Sequence, residues 1–205
     1  MIRVYGLPRS RSTRVLWALE EAGQAYEFTP VDFRNGEQLR DEFRSLNPGS
    51  KVPVLVEADM VLTESAAIVN YVLTCYAPEL IPSATPRQRA QYDRWCFFAL
   101  SELEQGLWTT AKHKFALPPE RRVAAVLDTG AWEFQRALAV LSEGLGEKPF
   151  ILGEQFSGAD ILIGHTLFWG IAYNQPPPQE NLLAYAQRLE QRPAVIAARQ
   201  REGSG

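Results

Sequence analysis

The pattern of apolar residues changes at a proline-containing segment, and this change limits the possible fold more than any other feature. Between Ile2 and Tyr76, strand and helix patterns alternate in the order βαβαββα. Residues 78–88 contain three prolines and are predicted to be a linker. Every strong apolar pattern after the linker has helical spacing. The sequence therefore predicts an α/β domain over residues 1–77, followed by an all-α domain over residues 89–205.

The predicted strands are short apolar runs bounded by turn residues, and the predicted helices each show an apolar face. The strands are Ile2 to Gly6, Tyr26 to Phe33, and a hairpin with arms at Val54 to Val56 and Val61 to Leu62. The helices before the linker are at residues 15–22, 37–46 and 65–76. Those after it are at residues 92–107, 126–141, 161–173 and 180–191, the last of which ends before Pro193.

Composition and charge argue against several classes of protein. The net charge of −3 and the pI near 5.5 leave no basic footprint for nucleic acid. No cleavable leader is visible, and the most apolar stretch, residues 161–173, is too short to span a bilayer. Cys75 and Cys96 lie on separate predicted helices without CxxC spacing, which favours buried thiols in a reducing compartment. The chain is therefore predicted to be cytoplasmic and to bind neither nucleic acid nor a membrane.

Several catalytic motifs are absent from the sequence. It has no glycine-rich dinucleotide loop and no P-loop, which argues against nucleotide phosphate binding. The GxSxG elbow of serine hydrolases is also absent. His113 and His165 are the only histidines, and neither has metal-ligand spacing to a cysteine or a carboxylate. No metal is therefore expected.

The segment from Pro8 to Val15 connects the first predicted strand to the first predicted helix. It places three hydroxyl residues, Ser10, Ser12 and Thr13, at the N-terminus of that helix. Unpaired N–H groups and the positive end of the helix dipole favour an anion there. A hydroxyl can donate a hydrogen bond to such an anion without becoming charged. The segment is therefore a candidate anion site.

A second candidate element is the run from Asn47 to Leu55, in which Pro53 precedes an apolar strand. Proline has no N–H to donate, so Pro53 belongs at the start or the edge of that strand. A cis Val52–Pro53 bond would turn the Val52 backbone toward solvent, where it could pair with an extended peptide. An ordinary loop with a trans bond is the alternative, and the sequence leaves both open.

A third candidate element runs from Leu62 to Ile68, where Glu64 and Ser65 stand at a predicted helix start. A hydroxyl and the helix N–H groups favour a carboxylate, and the Glu64 side chain suits an ammonium group. Together they suit the zwitterionic end of an α-amino acid. Taken alone, a serine and a glutamate at a helix start are common capping residues.

A capping box is predicted between Phe156 and Ile161, with Ser157 as the N-cap and Asp160 at position N3. Phe156 and Ile161 are spaced to form a hydrophobic staple around it. The role of this pattern is structural, because it fixes the start of an apolar helix.

These elements, in this order and spacing, resemble the glutathione S-transferase family, in particular its bacterial-type, serine-type cytosolic members. The resemblance extends from Ile2 to the final predicted helix. It is strongest at residues 5–10, 47–53, 64–68 and 156–160. It implies a thioredoxin-like domain that binds glutathione, a helical domain that supplies most of the hydrophobic-substrate pocket, and a homodimer. The implied activity is glutathione transfer to a small electrophile, as in detoxification.

The resemblance implies a role for the residues around the glutathione sulfur. Ser10 matches the serine that donates a hydrogen bond to the thiolate. Ser12, two residues later, is the alternative donor. Val52, before Pro53, would pair its backbone with the cysteinyl unit of glutathione.

The resemblance also implies contacts for the two ends of glutathione. Glu64 and Ser65 would hold the γ-glutamyl end. Lys51, together with Gln38 or Arg40, would meet the glycyl carboxylate.

Residues of the hydrophobic-substrate site are less well defined, because aromatic residues at helical spacing are also typical of a core. The candidates are Trp108, Lys112, Phe115, Phe168 and Trp169.

The chain departs from two branches of the family. Cysteine-type members carry their thiol one position after Ser10, where this chain has Arg11. The isomerase branch carries a Ser-Ser-Cys run that Arg9, Ser10 and Arg11 interrupt. Two alternative functions stay open: a glutathione-binding protein without turnover, and a glutathione-dependent reductase of disulfides or peroxides.

Overall fold

The computed structural model describes residues 1–203, which form two compact units. One unit contains residues 1–81 and the described residues from Glu190 onward, and the other is Pro82–Leu189. The contacts therefore group the segment after Glu190 with the α/β unit, whereas the sequence places it in the helical domain. The functional division into residues 1–77 and 89–205, joined by the linker at 78–88, stays a prediction.

Residues 1–203 contain four strands and nine α-helices, together with short 3₁₀ and π-helical turns. The strands are β1 (Ile2–Gly6), β2 (Tyr26–Pro30), β3 (Val54–Glu57) and β4 (Met60–Thr63). The helices are α1 (Ser12–Glu21), α2 (Asp41–Leu46), α3 (Ser65–Tyr76), α4 (Pro86–Phe98), α5 (Glu104–Ala111), α6 (Val126–Leu145), α7 (Gly158–Ala172), α8 (Glu180–Glu190) and α9 (Pro193–Gly203). The order βαβαββα of the first part is confirmed, as is the helical nature of the second.

The first unit is built on one mixed sheet with the strand order β2-β1-β3-β4. Strand β1 runs parallel to β2 and antiparallel to β3, and β3 forms the predicted hairpin with β4. The core is made of apolar residues from β1, α1, β3 and α3. Among them Val4, Trp17, Leu55 and Val69 are fully buried.

Several predicted elements differ from the structure. The helix predicted at residues 92–107 is interrupted between α4 and α5 by a π-helical turn, Ala99–Leu103. The strand predicted from Tyr26 to Phe33 ends at Pro30, because the Asp32 carboxylate accepts hydrogen bonds from the next N–H groups and bends the chain. The helix predicted at residues 37–46 is a 3₁₀ turn followed by α2, since Arg40 between them is extended. Helix α9 was not expected.

Helix α9 begins at Pro193, which the sequence pattern treats as the end of the last helix. Proline is well suited to the first position of a helix, where its missing N–H would have no intrahelical acceptor. The same residue therefore separates α8 from α9 and begins α9.

The second unit is all-helical, with α7 buried along most of its length. Every residue from Gly158 to Leu167 is buried, which confirms the predicted central helix. Helices α5 and α6 pack closely where two glycines face each other. A Cβ added to Gly106 would lie 2.4 Å from the carbonyl oxygen of Gly130, so no larger residue fits there.

The predicted capping box is present at the start of α7. The Asp160 carboxylate accepts a hydrogen bond from Ser157 N–H at 2.8 Å and from Ile151 N–H at 2.8 Å. It also accepts one from the Tyr185 hydroxyl at 2.5 Å, which ties α8 to α7. Asp160 is fully buried, and burial raises the pKa of its carboxyl group while these hydrogen bonds oppose that rise.

The two cysteines are free thiols in different environments. Cys96 is buried as expected, and burial raises its pKa to about 12. The same expectation is wrong for Cys75, which is exposed on α3. No helix within residues 1–203 is long and apolar enough to cross a membrane.

Candidate glutathione site

The sheet register brings the three candidate elements to one edge of the first unit. Tyr5 of β1 pairs with Val54 of β3, and Val54 pairs with Thr63 of β4. These residues lie at the end of β1, at the start of β3 and at the end of β4. The loop after β1, the loop before β3 and the N-terminus of α3 therefore leave the sheet side by side. These are the segments that the sequence singled out.

Ser10 and Ser12 form a small hydrogen-bonded network at the start of α1. The Ser10 hydroxyl donates to the carbonyl oxygen of Leu7 at 2.6 Å, and the two serine hydroxyl oxygens lie 3.0 Å apart. The Ser12 hydroxyl accepts the N–H of Leu7 at 3.1 Å. Ser12 is fully buried, whereas Ser10 is half-buried and reaches the surface. Of the two hydroxyls, that of Ser10 is therefore the more accessible to a ligand.

The expectation of unpaired N–H groups at this helix start is wrong for three residues. Ser12 N–H donates to the Ser10 hydroxyl at 3.1 Å, and Thr13 N–H donates to the Ser10 carbonyl at 3.1 Å. Arg14 N–H donates to the carbonyl of Arg11 at 3.2 Å. These three N–H groups are already used within the segment. The group that the segment offers to a ligand is therefore a hydroxyl.

The position of Ser12 depends on a glycine in β1. A Cβ added to Gly6 would lie 2.8 Å from both Cβ and Oγ of Ser12, and 2.6 Å from the Phe28 ring. Glycine therefore allows the start of α1 to approach the sheet closely enough to bury Ser12.

The Val52–Pro53 peptide bond is cis in the structure, which answers the question that the sequence left open. Val52 is half-buried, and within residues 1–203 its backbone N–H and C=O have no hydrogen-bond partner. Asn47 holds the preceding loop, because its Nδ2 donates to the Lys51 carbonyl at 2.8 Å and its Oδ1 accepts Gly49 N–H at 2.9 Å. The Lys51 side chain extends into solvent.

At the start of α3, the side chain of Ser65 is held from α1. Ser65 is 6% exposed, and its hydroxyl accepts a hydrogen bond of 3.2 Å from Nη1 of the fully buried Arg14. Glu64 is the N-cap, although its side chain makes no capping hydrogen bond, and Ser65 is the first helical residue. Glu64 is exposed, so its carboxylate is accessible to a cationic group.

Three residues with positive φ angles flank these elements. Arg9 has φ 57° immediately before Ser10, Ser50 has φ 53° before Lys51, and Glu64 has φ 67° before Ser65. Each such residue costs roughly 1–3 kcal/mol, and strained residues concentrate at functional sites. Their placement supports a ligand site at this edge of the sheet.

Gln38 and Arg40 lie in the segment that follows β2. Since β2 is parallel to β1, this segment leaves the sheet at the same edge. The Oε1 atom of Gln38 is buried without a hydrogen-bond partner among the described residues, and Arg40 is exposed. The Gln38 Oε1 atom can therefore accept a hydrogen bond from an N–H group of a ligand. The exposed Arg40 guanidinium can pair with an anion.

The candidates for the hydrophobic-substrate site all lie in the second unit. Lys112 Nζ lies 6.0 Å from the centre of the Trp108 ring. Phe115 and Trp169 both contact Tyr173, with ring centroids 6.1 and 6.0 Å from it. Phe168 is half-buried on α7. Phe115 is 51% exposed, which is unusual for a core residue, so it is the candidate most available to an apolar ligand.

One residue near Ser10 has no signal in the sequence. Glu202, on α9, is 6% exposed and accepts hydrogen bonds from the Thr13 hydroxyl at 2.6 Å and from Arg9 N–H at 3.2 Å. It lies 189 positions after Thr13 in a segment rich in charged residues, so no local pattern marks it. No group of three or more His, Cys, Asp or Glu residues within 1–203 is arranged to hold a metal.

Comparison with known proteins gives matches to both domains of one family. The model of the glutathione S-transferase N-terminal domain matches residues 1–74, and that of the C-terminal domain matches residues 124–196. The disulfide-bond oxidoreductase YfcG of Escherichia coli (strain K12) is 31% identical over 168 residues, which are 78% of this chain and 76% of that protein.

Two further relatives match the chain over nearly its whole length. A theta class glutathione S-transferase from the citrus canker pathogen Xanthomonas axonopodis pv. citri, solved with glutathione bound, superposes with a TM-score of 0.83. It is 30% identical and covers 96% of both chains. Glutathione S-transferase GstB of Escherichia coli (strain K12) is 30% identical over 202 residues, which are 95% of this chain and 96% of that protein. The chain therefore belongs to the glutathione S-transferase family.

Proposed function

We propose that the protein is a glutathione transferase in which Ser10 stabilises the glutathione thiolate for attack on a small, electrophilic, hydrophobic substrate. The observation that carries this proposal is the half-buried Ser10 hydroxyl at the sheet edge where the other candidate elements meet. Family membership and the relative solved with glutathione support it.

The chemistry requires a hydrogen-bond donor for the sulfur. The thiolate is the nucleophile, and an unperturbed thiol has a pKa of about 8.5. A hydroxyl that donates to the charged form lowers that pKa. Rotation about the Ser10 Cβ–Oγ bond redirects the proton from the Leu7 carbonyl, 2.6 Å away, toward a bound sulfur.

We assign Ser12 a supporting part in this step. Its buried hydroxyl lies 3.0 Å from that of Ser10, and its N–H also donates to Ser10. When the Ser12 hydroxyl donates its proton to Ser10, the Ser10 oxygen accepts two hydrogen bonds. Its own proton then becomes a stronger donor, because hydrogen bonds in a chain reinforce one another.

The rest of glutathione is assigned to the neighbouring elements of the first unit. The backbone of Val52, which precedes the cis Pro53, would pair with the cysteinyl unit in the manner of an added strand. Ser65 would bind the γ-glutamyl carboxylate and Glu64 the ammonium group.

The glycyl carboxylate is assigned to N–H donors near the same edge, two of them cationic and one, Nε2 of Gln38, an amide. Lys51 is exposed beside Val52, and Arg40 or Gln38 would contribute from the segment after β2. We further propose that the electrophile binds at the aromatic residues of the second unit, that the protein works as a homodimer, and that it does so in the cytoplasm.

Ultraviolet titration of bound glutathione tests the role of Ser10. The bound thiol of the wild type is expected to ionise at lower pH than free glutathione, and Ser10→Ala is expected to abolish this shift. Ser12→Ala is measured beside it and is expected to reduce the shift only in part, because Ser12 acts through Ser10. Loss of the shift in Ser12→Ala but not in Ser10→Ala would transfer the donor role to Ser12. A wild-type thiol that titrates like free glutathione would rule the mechanism out.

A glutathione-dependent reductase is the second candidate function. One relative is named a disulfide-bond oxidoreductase, and it matches 78% of this chain. Arg11 occupies the position of the thiol in cysteine-type family members, so a reductase here would depend on the glutathione thiol alone. Formation of oxidised glutathione from a disulfide or peroxide would favour this function over conjugation. Stabilisation by glutathione with neither activity would indicate a binding protein.

A further inference from the structure

The Glu202 carboxylate joins two parts of the loop that contains Ser10. One oxygen, Oε2, accepts the N–H of Arg9 at 3.2 Å, and the other, Oε1, accepts the Thr13 hydroxyl at 2.6 Å. Arg9 precedes Ser10, and Thr13 lies in the first turn of α1. The two hydrogen bonds therefore bracket Ser10 along the chain.

The position of this carboxylate is unfavourable unless its partners are present. Glu202 is 6% exposed and lies in the last turn of α9, where the helix dipole disfavours a negative charge. Burial raises the pKa of its carboxyl group, and the hydrogen bonds from Thr13 and Arg9 oppose that rise. The Glu202 carboxylate is therefore stabilised mainly by its hydrogen bonds to the loop that contains Arg9 and Thr13.

The loop in turn has a backbone that requires support. Arg9 has a φ of 57°, which is disfavoured for any residue with a Cβ. The hydrogen bond from Arg9 N–H to Glu202 stabilises this conformation, and the Thr13 contact fixes the helix start on the other side of Ser10. Without the carboxylate, the Ser10 hydroxyl would sample a wider range of positions.

Helix α9 is held against the rest of the first unit independently of Glu202. At its other end, Arg192 forms two hydrogen bonds with the Glu21 carboxylate, of 2.6 and 2.7 Å. Val195 and Ala198 are buried between the two ends. The position of α9 therefore has an anchor that does not touch the Ser10 loop.

We propose that Glu202 is a positioning residue that holds the Arg9–Thr13 loop so that the Ser10 hydroxyl meets the glutathione sulfur. This inference rests on the proposed function of Ser10. It assigns to the last described helix a part in glutathione activation that none of the sequence motifs contains.

Two substitutions test the proposal from opposite sides of the contact. Glu202→Ala removes the acceptor, and Thr13→Val removes one donor with little change in shape. Each is expected to raise the pKa of bound glutathione by about one unit toward the free value, which corresponds to about tenfold fewer ionised thiols at a pH well below both pKa values, where the assay is run. The kcat is expected to fall by a similar factor, while the KM for glutathione changes less than about twofold.

Two further variants separate positioning from simple stability. Thr13→Ser keeps the hydroxyl and is expected to retain the wild-type thiol pKa. Arg192→Ala weakens the other anchor of α9, and it is expected to lower the thermal midpoint while leaving the bound thiol unchanged. Thr13→Val and Thr13→Ser keep the test valid even where Glu202→Ala does not fold.

The outcomes distinguish the two proposals. A wild-type bound thiol that titrates like free glutathione overturns the role of Ser10, and this inference with it. A lowered wild-type pKa that Glu202→Ala and Thr13→Val leave unchanged overturns the role of Glu202 alone. If Arg192→Ala raises the pKa of the bound thiol as much as Glu202→Ala does, the role of Glu202 is also overturned. Helix α9 would then affect the thiol only through the stability of the protein.

Discussion

Arg14 and Ser65 are joined by a hydrogen bond of 3.2 Å that connects the first turn of α1 to the first residue of α3. Arg14 is fully buried, and Ser65 is 6% exposed. Arg14, on the helix that begins next to Ser10, therefore holds the Ser65 hydroxyl, which we assign to the γ-glutamyl carboxylate. Changes at Arg14 are therefore expected to affect both stability and glutathione binding.

Arg14→Lys is expected to lower the free energy of unfolding by about 1.5–3 kcal/mol, because a lysine lacks the planar donors of the guanidinium. Chemical denaturation measures the loss. Arg44→Lys on the exposed face of α2 is the matched control, and its effect is expected to stay within about 0.5 kcal/mol. Equal effects at the two positions would contradict a special role for the buried contact.

Ser12→Ala is expected to destabilise the protein by about 1–3 kcal/mol, because Leu7 N–H would lose its acceptor at a partly buried site and the fully buried Ser12 would lose its hydroxyl contacts. Denaturant unfolding followed by fluorescence checks this value. Ser45→Ala, which removes an exposed hydroxyl, is expected to change stability by less than about 0.5 kcal/mol. An unchanged stability in Ser12→Ala would show that Leu7 N–H finds another partner.

Asp160→Asn is expected to cost roughly 2–4 kcal/mol. The amide keeps one acceptor oxygen, and its NH₂ group would face donors such as Ser157 N–H. Asp128→Asn, in the exposed first turn of α6, is expected to cost only about 0.3–1 kcal/mol through the helix dipole. Similar losses of stability in the two variants would mean that the buried hydrogen bonds of Asp160 contribute no more than its charge at the helix start.

The contribution of Glu202 to stability is expected to depend on pH. Burial raises the native pKa of its carboxyl above the ordinary value of 4.5, so folding favours the protonated form. The resulting stabilisation is complete below that ordinary value and is lost as the pH rises through the native pKa. Relative to Glu202→Gln, the wild type should therefore lose stability over this interval in unfolding measured against pH. A wild type that instead gains stability relative to Glu202→Gln as the pH rises would contradict a raised native pKa.

One of the two thiols is expected to react with a soluble thiol reagent in the native protein. Cys75 is exposed, whereas Cys96 is buried with a pKa raised to about 12, so its thiolate fraction at neutral pH is very small. Cys75→Ser should abolish the fast reaction, and denaturation should restore one reactive thiol. Fast labelling of Cys75→Ser would show that Cys96 is accessible.

The features that the sequence predicts well are those determined by neighbouring residues. Ser157 and Asp160 lie three positions apart, so the pattern itself contains the capping box that the structure shows. The alternation of strands and helices in the first unit is local in the same sense. The break at Arg40 was missed because one extended residue interrupts an apolar pattern that continues on both sides of it.

The candidate site depends more strongly on contacts between distant segments. The burial of Ser12 follows from its close approach to Gly6 in β1, which no spacing rule shows. The pairing of Glu202 with Thr13 joins the two ends of the described chain. Sequence patterns therefore identify the elements of the site, while packing determines which hydroxyl reaches the surface and what holds it.

The membership of α9 in the first unit has a consequence for the order in which the protein is made. Domains generally fold as units during synthesis, with the N-terminal one first. Here the first unit lacks α9 until all of Pro82–Leu189 has been translated. The nascent α/β unit must therefore wait, with one face of α1 uncovered and the Ser10 loop unsupported, until Glu202 leaves the ribosome.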